Sequence, residues 1–268
     1  MRPGHVAGPC ALPARGGICR RAFRPLPCAG QLLERSVKDP GRTAAWLGCA
    51  IAVAYAVFVA FPGLDIAVSG LFFRPGEGFW LARIHFLDVL RNLFWNASVL
   101  LVAVAVLLLP LTFVLPAPVR QLRGWAVYTI LLYALSTGLL VNGILKSFWG
   151  RARPADVEAF GGQAMFTPPF EIADQCQWNC SFVSGEASAV MALALSVDAL
   201  LAPRLGREGR RALRVVLGVL VALGSGLRIV TGRHFLSDVV FGILLTWLVA
   251  AFLSAFRAPA RSGRGATL

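Results

Sequence analysis

Six apolar runs, each about 20 residues long, restrict the fold of this chain more than any other feature. A helix needs about 20 residues to cross the hydrocarbon core of a bilayer, and it satisfies its own backbone hydrogen bonds there. The chain is also 57% hydrophobic, which is too apolar for an ordinary water-soluble domain. The sequence therefore predicts an all-α bundle of six transmembrane helices, near residues 44–62, 94–115, 124–145, 184–202, 213–231 and 238–256.

The basic residues predict the orientation of this bundle. The net charge of +13 comes from arginines that concentrate in both tails and in the gaps after the second and fourth runs, all on one side of the membrane. Positive charge marks the cytoplasmic side, so we expect a multi-pass membrane protein with both termini inside and with gaps 63–93, 146–183 and 228–237 outside. No basic helix or aromatic platform accompanies the charge, so we expect no nucleic-acid partner.

The apolar runs also divide the chain into domains. We expect a disordered basic cytoplasmic tail at 1–43, a membrane domain at 44–256 and a cytoplasmic tail at 257–268. The first tail lacks the apolar segment of a cleavable signal peptide. A working tail and a start site assigned too far upstream explain it equally well.

Several cations on the predicted outer side oppose the topological bias and need another reason: Lys146, Arg151, Arg153, Arg228 and Arg233. Lys146 and Arg153 are seven residues apart, so they share one face if the helix continues as far as Pro154. An ammonium group beside a guanidinium group is suited to phosphate oxygens, although basic residues beside a span also serve as interfacial anchors.

The stretch "FVSGEAS" begins the fourth run. Ser184 is a typical N-cap, and Gly185 lets a ligand approach the backbone. Free amides at a helix N-terminus bind anions, although a plain cap with an acidic first turn explains the same letters. Glu186 stands next in the chain, where a carboxylate would repel a phosphate.

The stretch "GLRIVTGRHFLSDVVFG" joins the fifth and sixth runs. Asp238 follows His234 by four residues, about one helical turn, where a carboxylate can hold one ring nitrogen and leave the other free to attack. Arg228 lies six residues before His234. Ionisable groups at the edge of a bilayer suggest a functional site, although a His–Asp pair is also a common structural contact.

Together these stretches resemble a known family. Lys146-x6-Arg153-Pro154, Ser184-Gly185 and Arg228-x5-His234-x3-Asp238 are similar to the three-part signature of the type 2 phosphatidic acid phosphatases, integral membrane lipid phosphatases that share a site with vanadium haloperoxidases. The resemblance implies that His234 is the nucleophile and that Asp238 orients it. It also implies phosphate binding by Lys146, Arg153, Ser184, Gly185 and Arg228, without a metal or another cofactor.

The chain departs from the family pattern in its second part. Members usually have Pro-Ser-Gly-His where this chain has Val183-Ser184-Gly185-Glu186, and Leu227 replaces a serine before Arg228. The resemblance gives Glu186 the role of the general acid that protonates the leaving alcohol, and we expect bound phosphate to keep it protonated. A pseudo-enzyme that binds lipid phosphate without turnover is the alternative, and a channel or transporter is a third class.

The outer gaps carry the remaining expectations. The aromatic first gap predicts an amphipathic lid in the membrane interface. Its arrangement is similar to bacterial family members that dephosphorylate lipid A. The resemblance implies a location in the bacterial inner membrane, with the outer gaps and the active site facing the periplasm. Undecaprenyl diphosphate, phosphatidate and phosphatidylglycerol phosphate are other lipid substrates consistent with the family. Cys176 and Cys180 are spaced for a disulfide in an oxidising compartment or for a metal site otherwise.

Overall fold

The computed structural model describes residues 40–257, so the predicted tails lie almost entirely outside the described residues. Six helices within this range are long and apolar enough to cross a membrane. We number these spans in chain order: Gly41–Ala60, His85–Val114, Ala117–Phe148, Gly185–Arg204, Arg207–Val230 and Leu236–Ala255. Residues 40–257 contain no β-strand, which confirms the predicted all-α bundle of six spans.

The outward faces of the spans are apolar, as the predicted membrane location requires. Val53, Leu107, Val215 and Phe252 lie on four different spans, and each is more than half exposed. Such surfaces are unfavourable in water but match lipid chains. The helices therefore expose to lipid the side chains that a soluble bundle would bury.

The fourth span lies at the centre of the bundle and is the most buried of the six. It packs against the second, third, fifth and sixth spans. Small side chains on its buried surface allow close approach of neighbouring helices, because small residues bring helix backbones together in a membrane; they include Ala187, Ser188, Ala189, Ala192 and Ala194. This central helix begins at Gly185, so its N-terminus lies within the outer end of the bundle.

The third span changes its winding before it reaches the outer end. It is α-helical over Arg123–Leu132, π-helical over Tyr133–Leu145 and α-helical again over Lys146–Phe148. Gly150 then reverses the chain with a φ of 63°, and a Cβ there would lie 1.7 Å from the carbonyl oxygen of Ala173. The prediction that the helix continues to Pro154 is therefore wrong, because only glycine fits this reversal.

The first outer gap differs from the predicted lid. Its second half belongs to the second span, which begins at His85 instead of near residue 94. Its first half forms the short helix Leu64–Gly70 and a 3₁₀ turn, Trp80–Arg83. Asp65 and Ser69 of the short helix are fully buried, so this segment is part of the core and the lid prediction is wrong.

Candidate active site

The outer end of the bundle contains a pocket of about 320 Å³. Most of its charged side chains are cationic: Arg91, Lys146, Arg153, Arg228 and Arg233, against Asp88 and Glu186. His234 also lines the pocket. These residues come from four spans and two loops, so the fold brings together five of the residues predicted from sequence: Lys146, Arg153, Glu186, Arg228 and His234.

Lys146 and Arg153 reach the pocket from different backbone conformations. Lys146 lies in the last turn of the third span, whereas Arg153 is extended after the reversal at Gly150, with φ −83° and ψ 158°. Both side chains contact Asn179: Lys146 Nζ donates to Asn179 Oδ1 at 2.8 Å, and Arg153 Nη2 donates to the Asn179 carbonyl at 2.7 Å. The loop near Asn179, and not a common helix face, therefore brings the two cations together.

Burial and the neighbouring cation Arg233 lower the pKa of Arg153 below its ordinary value, although its guanidinium still carries its charge at neutral pH. Two cations beside each other repel, so a bound phosphate dianion would relieve this repulsion. The pocket is therefore electrostatically suited to an anion.

Ser184 caps the fourth span as predicted, because its hydroxyl accepts a hydrogen bond from the Ala187 amide at 3.3 Å. Its own amide donates to the Asp238 carbonyl at 3.0 Å. Both Ser184 and Gly185 are buried, and the pocket is lined by other residues. The hydroxyl only accepts in this cap and keeps its own hydrogen to donate, so the phosphate cradle at these two residues stays a prediction.

His234 lies between the fifth and sixth spans, on a turn that begins at Thr231. Gly232 has a φ of 67° and lies against Phe79, where a Cβ would be 2.4 Å from the ring. The His234 ring is only 2% exposed, and its Nδ1 lies 2.8 Å from the Ser181 carbonyl. A carbonyl only accepts hydrogen bonds, so Nδ1 carries the proton and Nε2 keeps a free lone pair.

Burial lowers the pKa of His234 to about 4, although the nearby Asp238 carboxylate opposes this shift. The ring is therefore neutral over the physiological range, which is the form that a nucleophilic imidazole requires.

Asp238 supports His234 differently from the predicted arrangement. Its Oδ2 lies 3.7 Å from His234 Nδ1, beyond hydrogen-bond length. The carboxylate instead accepts from Arg151 Nη1 at 2.7 Å, from the Phe235 amide at 2.8 Å and from the Ser181 hydroxyl. Asp238 thus holds Ser181, whose carbonyl orients the ring, and the prediction of a direct hydrogen bond is corrected.

Arg151 joins this arrangement to the short helix of the first outer gap. Its Nη2 donates to Asp65 Oδ2 at 2.8 Å, and all three charged side chains of the Asp65–Arg151–Asp238 network are fully buried. Ser237 also donates its amide to Asp65 Oδ1 at 2.9 Å. Burial raises the pKa of Asp65 above its ordinary value, and Arg151 opposes that shift.

The sequence analysis placed Arg151 among the unexplained outer cations and assigned Asp65 no role. The odd position of an Asp in an apolar stretch was the available signal for Asp65.

Glu186 is held by two arginines. Its carboxylate accepts from Arg91 Nη2 at 2.8 Å and Nε at 3.1 Å, and Arg228 Nε lies 3.3 Å away. Two guanidinium groups at these distances favour the ionised carboxylate. The two arginines therefore oppose the protonation that we expect on phosphate binding, which stays a prediction. Arg91 is a pocket residue that the sequence analysis missed.

The loop before the fourth span contains the predicted cysteine pair. The structure joins Cys176 and Cys180 as a disulfide, with their Cα atoms 5.6 Å apart. Within residues 40–257, no cluster of three or more His, Cys, Asp or Glu residues has the arrangement of a metal site. The disulfide closes the five-residue loop Cys176–Cys180, and Asn179 of this loop lines the cationic pocket.

Comparisons with known proteins agree with this architecture. The profile of the PAP2 superfamily matches residues 127–261. A lipid A 4'-phosphatase of Francisella tularensis subsp. novicida (strain U112) is 33% identical over 213 residues, which cover 75% of this chain and 90% of that protein. A lipid A 4'-phosphatase of Rhizobium leguminosarum is 34% identical over 217 residues, with the same shares of the two chains, 75% and 90%.

A solved structure shares the fold. The PAP2 type phosphatidylglycerolphosphate phosphatase from Bacillus subtilis superimposes with a TM-score of 0.57, over 82% of this chain and 98% of that chain. Its sequence is 20% identical, so this likeness concerns the fold alone. The family profile, the curated relatives and the six-span fold lead to one conclusion: the chain belongs to the PAP2 superfamily and is a multi-pass membrane protein of its lipid phosphatase type.

Proposed function

We propose that this protein removes a phosphate from lipid A at the periplasmic face of the inner membrane, through a covalent phosphohistidine. One observation carries the proposal: a buried, neutral His234 lines a pocket that also contains five cations. A neutral imidazole is a nucleophile, and the surrounding cations would stabilise the charge that a transferring phosphoryl group develops.

The first chemical step uses the lone pair on His234 Nε2. It attacks phosphorus, and the bond from phosphorus to the lipid oxygen breaks with its electron pair on that oxygen. The leaving oxygen takes a proton from water, because Glu186 rests as a carboxylate between Arg91 and Arg228. Lys146, Arg153 and Arg228 bind the phosphate oxygens during this transfer.

The second step releases the phosphate. A water molecule loses a proton to the Glu186 carboxylate and attacks phosphorus. The P–N bond breaks, its electron pair returns to Nε2, and inorganic phosphate leaves. Glu186 then gives its proton to solvent and is again held by its two arginines. Glu186, whose charge would repel a phosphate, therefore acts in this proposal as the general base of the second step.

Lipid A is favoured over other lipid phosphates by the relatives. Two lipid A 4'-phosphatases are 33% and 34% identical to this chain across 75% of its length, whereas the phosphatidylglycerolphosphate phosphatase shares 20% identity. The pocket opens at the end of a bundle whose outer faces are apolar, so a substrate with acyl chains can remain in the membrane while its phosphate enters.

The reaction is proposed to proceed without a metal ion. Arginine and lysine side chains supply the positive charge that Mg²⁺ supplies in other phosphoryl-transfer sites. Phosphate release should therefore persist in EDTA. Complete loss of activity in EDTA, restored by added Mg²⁺, would contradict this part of the proposal.

The test uses purified, detergent-solubilised protein and a panel of lipid phosphates: bis-phosphorylated lipid A, undecaprenyl diphosphate, phosphatidate and phosphatidylglycerol phosphate. We expect the highest kcat/KM with lipid A, and fragment ions in mass spectrometry should locate the missing phosphate at the 4' position. The control His234→Ala should abolish release, because no other group replaces the nucleophile.

Covalent chemistry is tested by brief incubation with labelled substrate. A phosphohistidine is acid-sensitive and alkali-stable, so the label on wild-type protein should disappear in acid, and His234→Ala should carry none. Wild type that is inactive on every lipid, together with activity gained in Glu186→His, would favour the pseudo-enzyme alternative. Full activity in His234→Ala would overturn the mechanism.

A further inference from the structure

Asn179, a neutral residue of the disulfide loop Cys176–Cys180, contacts both Lys146 and Arg153. Within residues 40–257, Asn179 is the only non-glycine residue with a positive φ, at 50°. Asparagine tolerates this left-handed conformation better than most residues. The conformation allows the side chain and the backbone carbonyl of Asn179 to be used at the same time.

Each of the two contacts uses a different oxygen of Asn179. Lys146 Nζ donates to Oδ1 at 2.8 Å, and Arg153 Nη2 donates to the backbone oxygen at 2.7 Å. These contacts leave Lys146 with its other two ammonium hydrogens and Arg153 with its remaining guanidinium hydrogens. Asn179 therefore holds both cations while donors remain for a phosphate.

The neutrality of Asn179 matters to this arrangement. Lysine and arginine side chains have many rotamers, and two adjacent cations repel each other, so an acceptor is needed to hold them in one place. A carboxylate at this position would hold them more strongly, but it would also neutralise the charge that attracts phosphate. An amide and a carbonyl hold the donors and leave their charge available to a ligand.

The neighbouring residues fix the position of Asn179. The disulfide ties the start of the loop to Cys180, which is only 2% exposed. The next residue, Ser181, donates its amide to the Arg151 carbonyl at 2.8 Å, and its own carbonyl orients His234. The same short segment thus contacts the phosphate-binding cations through Asn179 and the nucleophile through Ser181.

We propose that Asn179, held by the Cys176–Cys180 disulfide, is a positioning residue that aims Lys146 and Arg153 at the substrate phosphate. This inference rests on the proposed function, since it assumes that these two cations bind phosphate. It adds a residue outside the three sequence motifs to the site, and it makes phosphate affinity dependent on the oxidation state of the loop.

The first test is Asn179→Gly, with binding of inorganic phosphate to the solubilised protein measured by calorimetry. Glycine adopts a left-handed φ without strain and keeps the carbonyl that contacts Arg153, so this variant removes the acceptor of Lys146 and leaves the contact to Arg153 possible. We expect phosphate affinity to fall about tenfold, as for a lost hydrogen bond to a charged group. Gln177→Ala, at an exposed position in the same loop, is the matched control and should bind as wild type does.

A second variant separates positioning from a structural role. Asn179→Asp keeps the shape and the acceptor, so a residue that only stabilises the loop would tolerate it. If Asn179 aims two charged donors, the added carboxylate should weaken phosphate binding by more than Asn179→Gly does while the melting temperature stays near that of wild type. Equal affinity in wild type and Asn179→Asp would overturn the proposal.

The disulfide is tested by reduction and by the double variant Cys176→Ser/Cys180→Ser. Both should weaken phosphate binding in the same direction as Asn179→Gly. Reduction of the Asn179→Gly protein should cost less affinity than reduction of wild type, because the two changes act on one contact and do not add. Strictly additive losses would show that the disulfide acts elsewhere.

These measurements also distinguish the inference from the proposed function. Wild type that neither binds inorganic phosphate nor releases it from lipid would overturn both. Wild type that binds and hydrolyses normally, with unchanged affinity in Asn179→Gly, would overturn only the role of Asn179. If wild type binds phosphate but hydrolyses no lipid, the proposed function is overturned, and the calorimetric binding measurements on the Asn179 variants still decide the role of Asn179.

Discussion

At the scale of single residues, the site depends on which protonation state each side chain can maintain. His234 is neutral because burial removes water from its ring, and Glu186 is ionised because two arginines contact it. The sequence analysis assigned the nucleophile to His234 from its spacing to Asp238, and it expected Glu186 to carry a proton once phosphate is bound. The protonation state of a side chain depends on its neighbours in space. The neutral state of His234 and the ionised state of Glu186 are therefore tested by separate experiments.

The pH dependence of kcat/KM tests the state of His234. Protonation removes the nucleophile, so activity is lost as pH falls through the pKa of the folded protein, about 4. Between pH 7.5 and pH 5.5 we expect kcat/KM to change by less than about twofold, whereas an unshifted histidine would lose roughly tenfold. The ionisation of the substrate phosphate is measured separately by ³¹P NMR and removed from the profile. A decline centred near pH 6.5 would contradict the lowered pKa.

Glu186→Gln tests the role of the carboxylate. An amide presents hydrogens to at least one of the guanidinium groups of Arg91 and Arg228, so both arginines lose their anchor. We therefore expect kcat/KM to fall about 10–100-fold on lipid A and on an aryl phosphate with an acidic phenol alike. Glu77→Gln, a carboxylate-to-amide change at an exposed position, is the control. A decrease in kcat/KM on lipid A but not on the aryl phosphate would indicate that Glu186 is the general acid that protonates the leaving alcohol.

At the scale of secondary-structure elements, the buried Asp65–Arg151–Asp238 network connects parts that the sequence keeps far apart. Arg151 links the short helix Leu64–Gly70 with the start of the sixth span and with the loop at Thr167. A buried ion pair costs desolvation, so such a network is weak evidence for stability by itself. Its position behind His234 instead indicates that it holds these elements in register around that side chain.

Arg151→Met tests this network. Methionine removes the cation that pairs with the buried carboxylates of Asp65 and Asp238, so we expect a loss of about 3–5 kcal/mol in the free energy of unfolding. The melting temperature in detergent is the measurement, and Arg74→Met is the control. Arg74 pairs with Glu77 at the surface, where both side chains are 55% exposed, so its loss should cost less than about 1 kcal/mol. Equal effects of the two variants would contradict a structural role for the buried network.

At the scale of the whole molecule, the fold collects every site residue at one end of the bundle. Helix ends and loops that follow the first, third and fifth spans meet there with the starts of the second, fourth and sixth. The distribution of arginine in the sequence predicts that this end faces the periplasm. A disulfide at this end is consistent with an oxidising compartment.

Thiol labelling tests this orientation in intact spheroplasts, in a Cys49→Ser background. A membrane-impermeant reagent should label Cys176 of the pair only after reduction, because Cys176 is partly exposed but oxidised. Cys10, Cys19 and Cys28 are the internal control: they are predicted to be cytoplasmic, so they should react only after lysis. Labelling of the tail cysteines in intact spheroplasts would reverse the orientation, and equal labelling of the pair before and after reduction would exclude the disulfide.

The sequence by itself determined the features that depend on neighbours along the chain. Apolar runs of membrane length predicted the six spans, and the cap at Ser184 followed from one serine before a helix. The motif residues Lys146, Arg153, Arg228 and His234 were found by spacing within single stretches, and the pocket contains all four.

Only the tertiary structure decided the partners of these residues. Arg91 meets Glu186 across 95 positions, Arg151 meets Asp65 across 86, and Asn179 meets Lys146 across 33. Local periodicity carries no information about contacts at such separations, because they depend on how the helices pack and on where the loops return. The sequence therefore identified the charged residues that lie in its motifs. The packing of the helices and loops added Arg91 and Asp65 and determined which charged groups are paired and which state each one keeps.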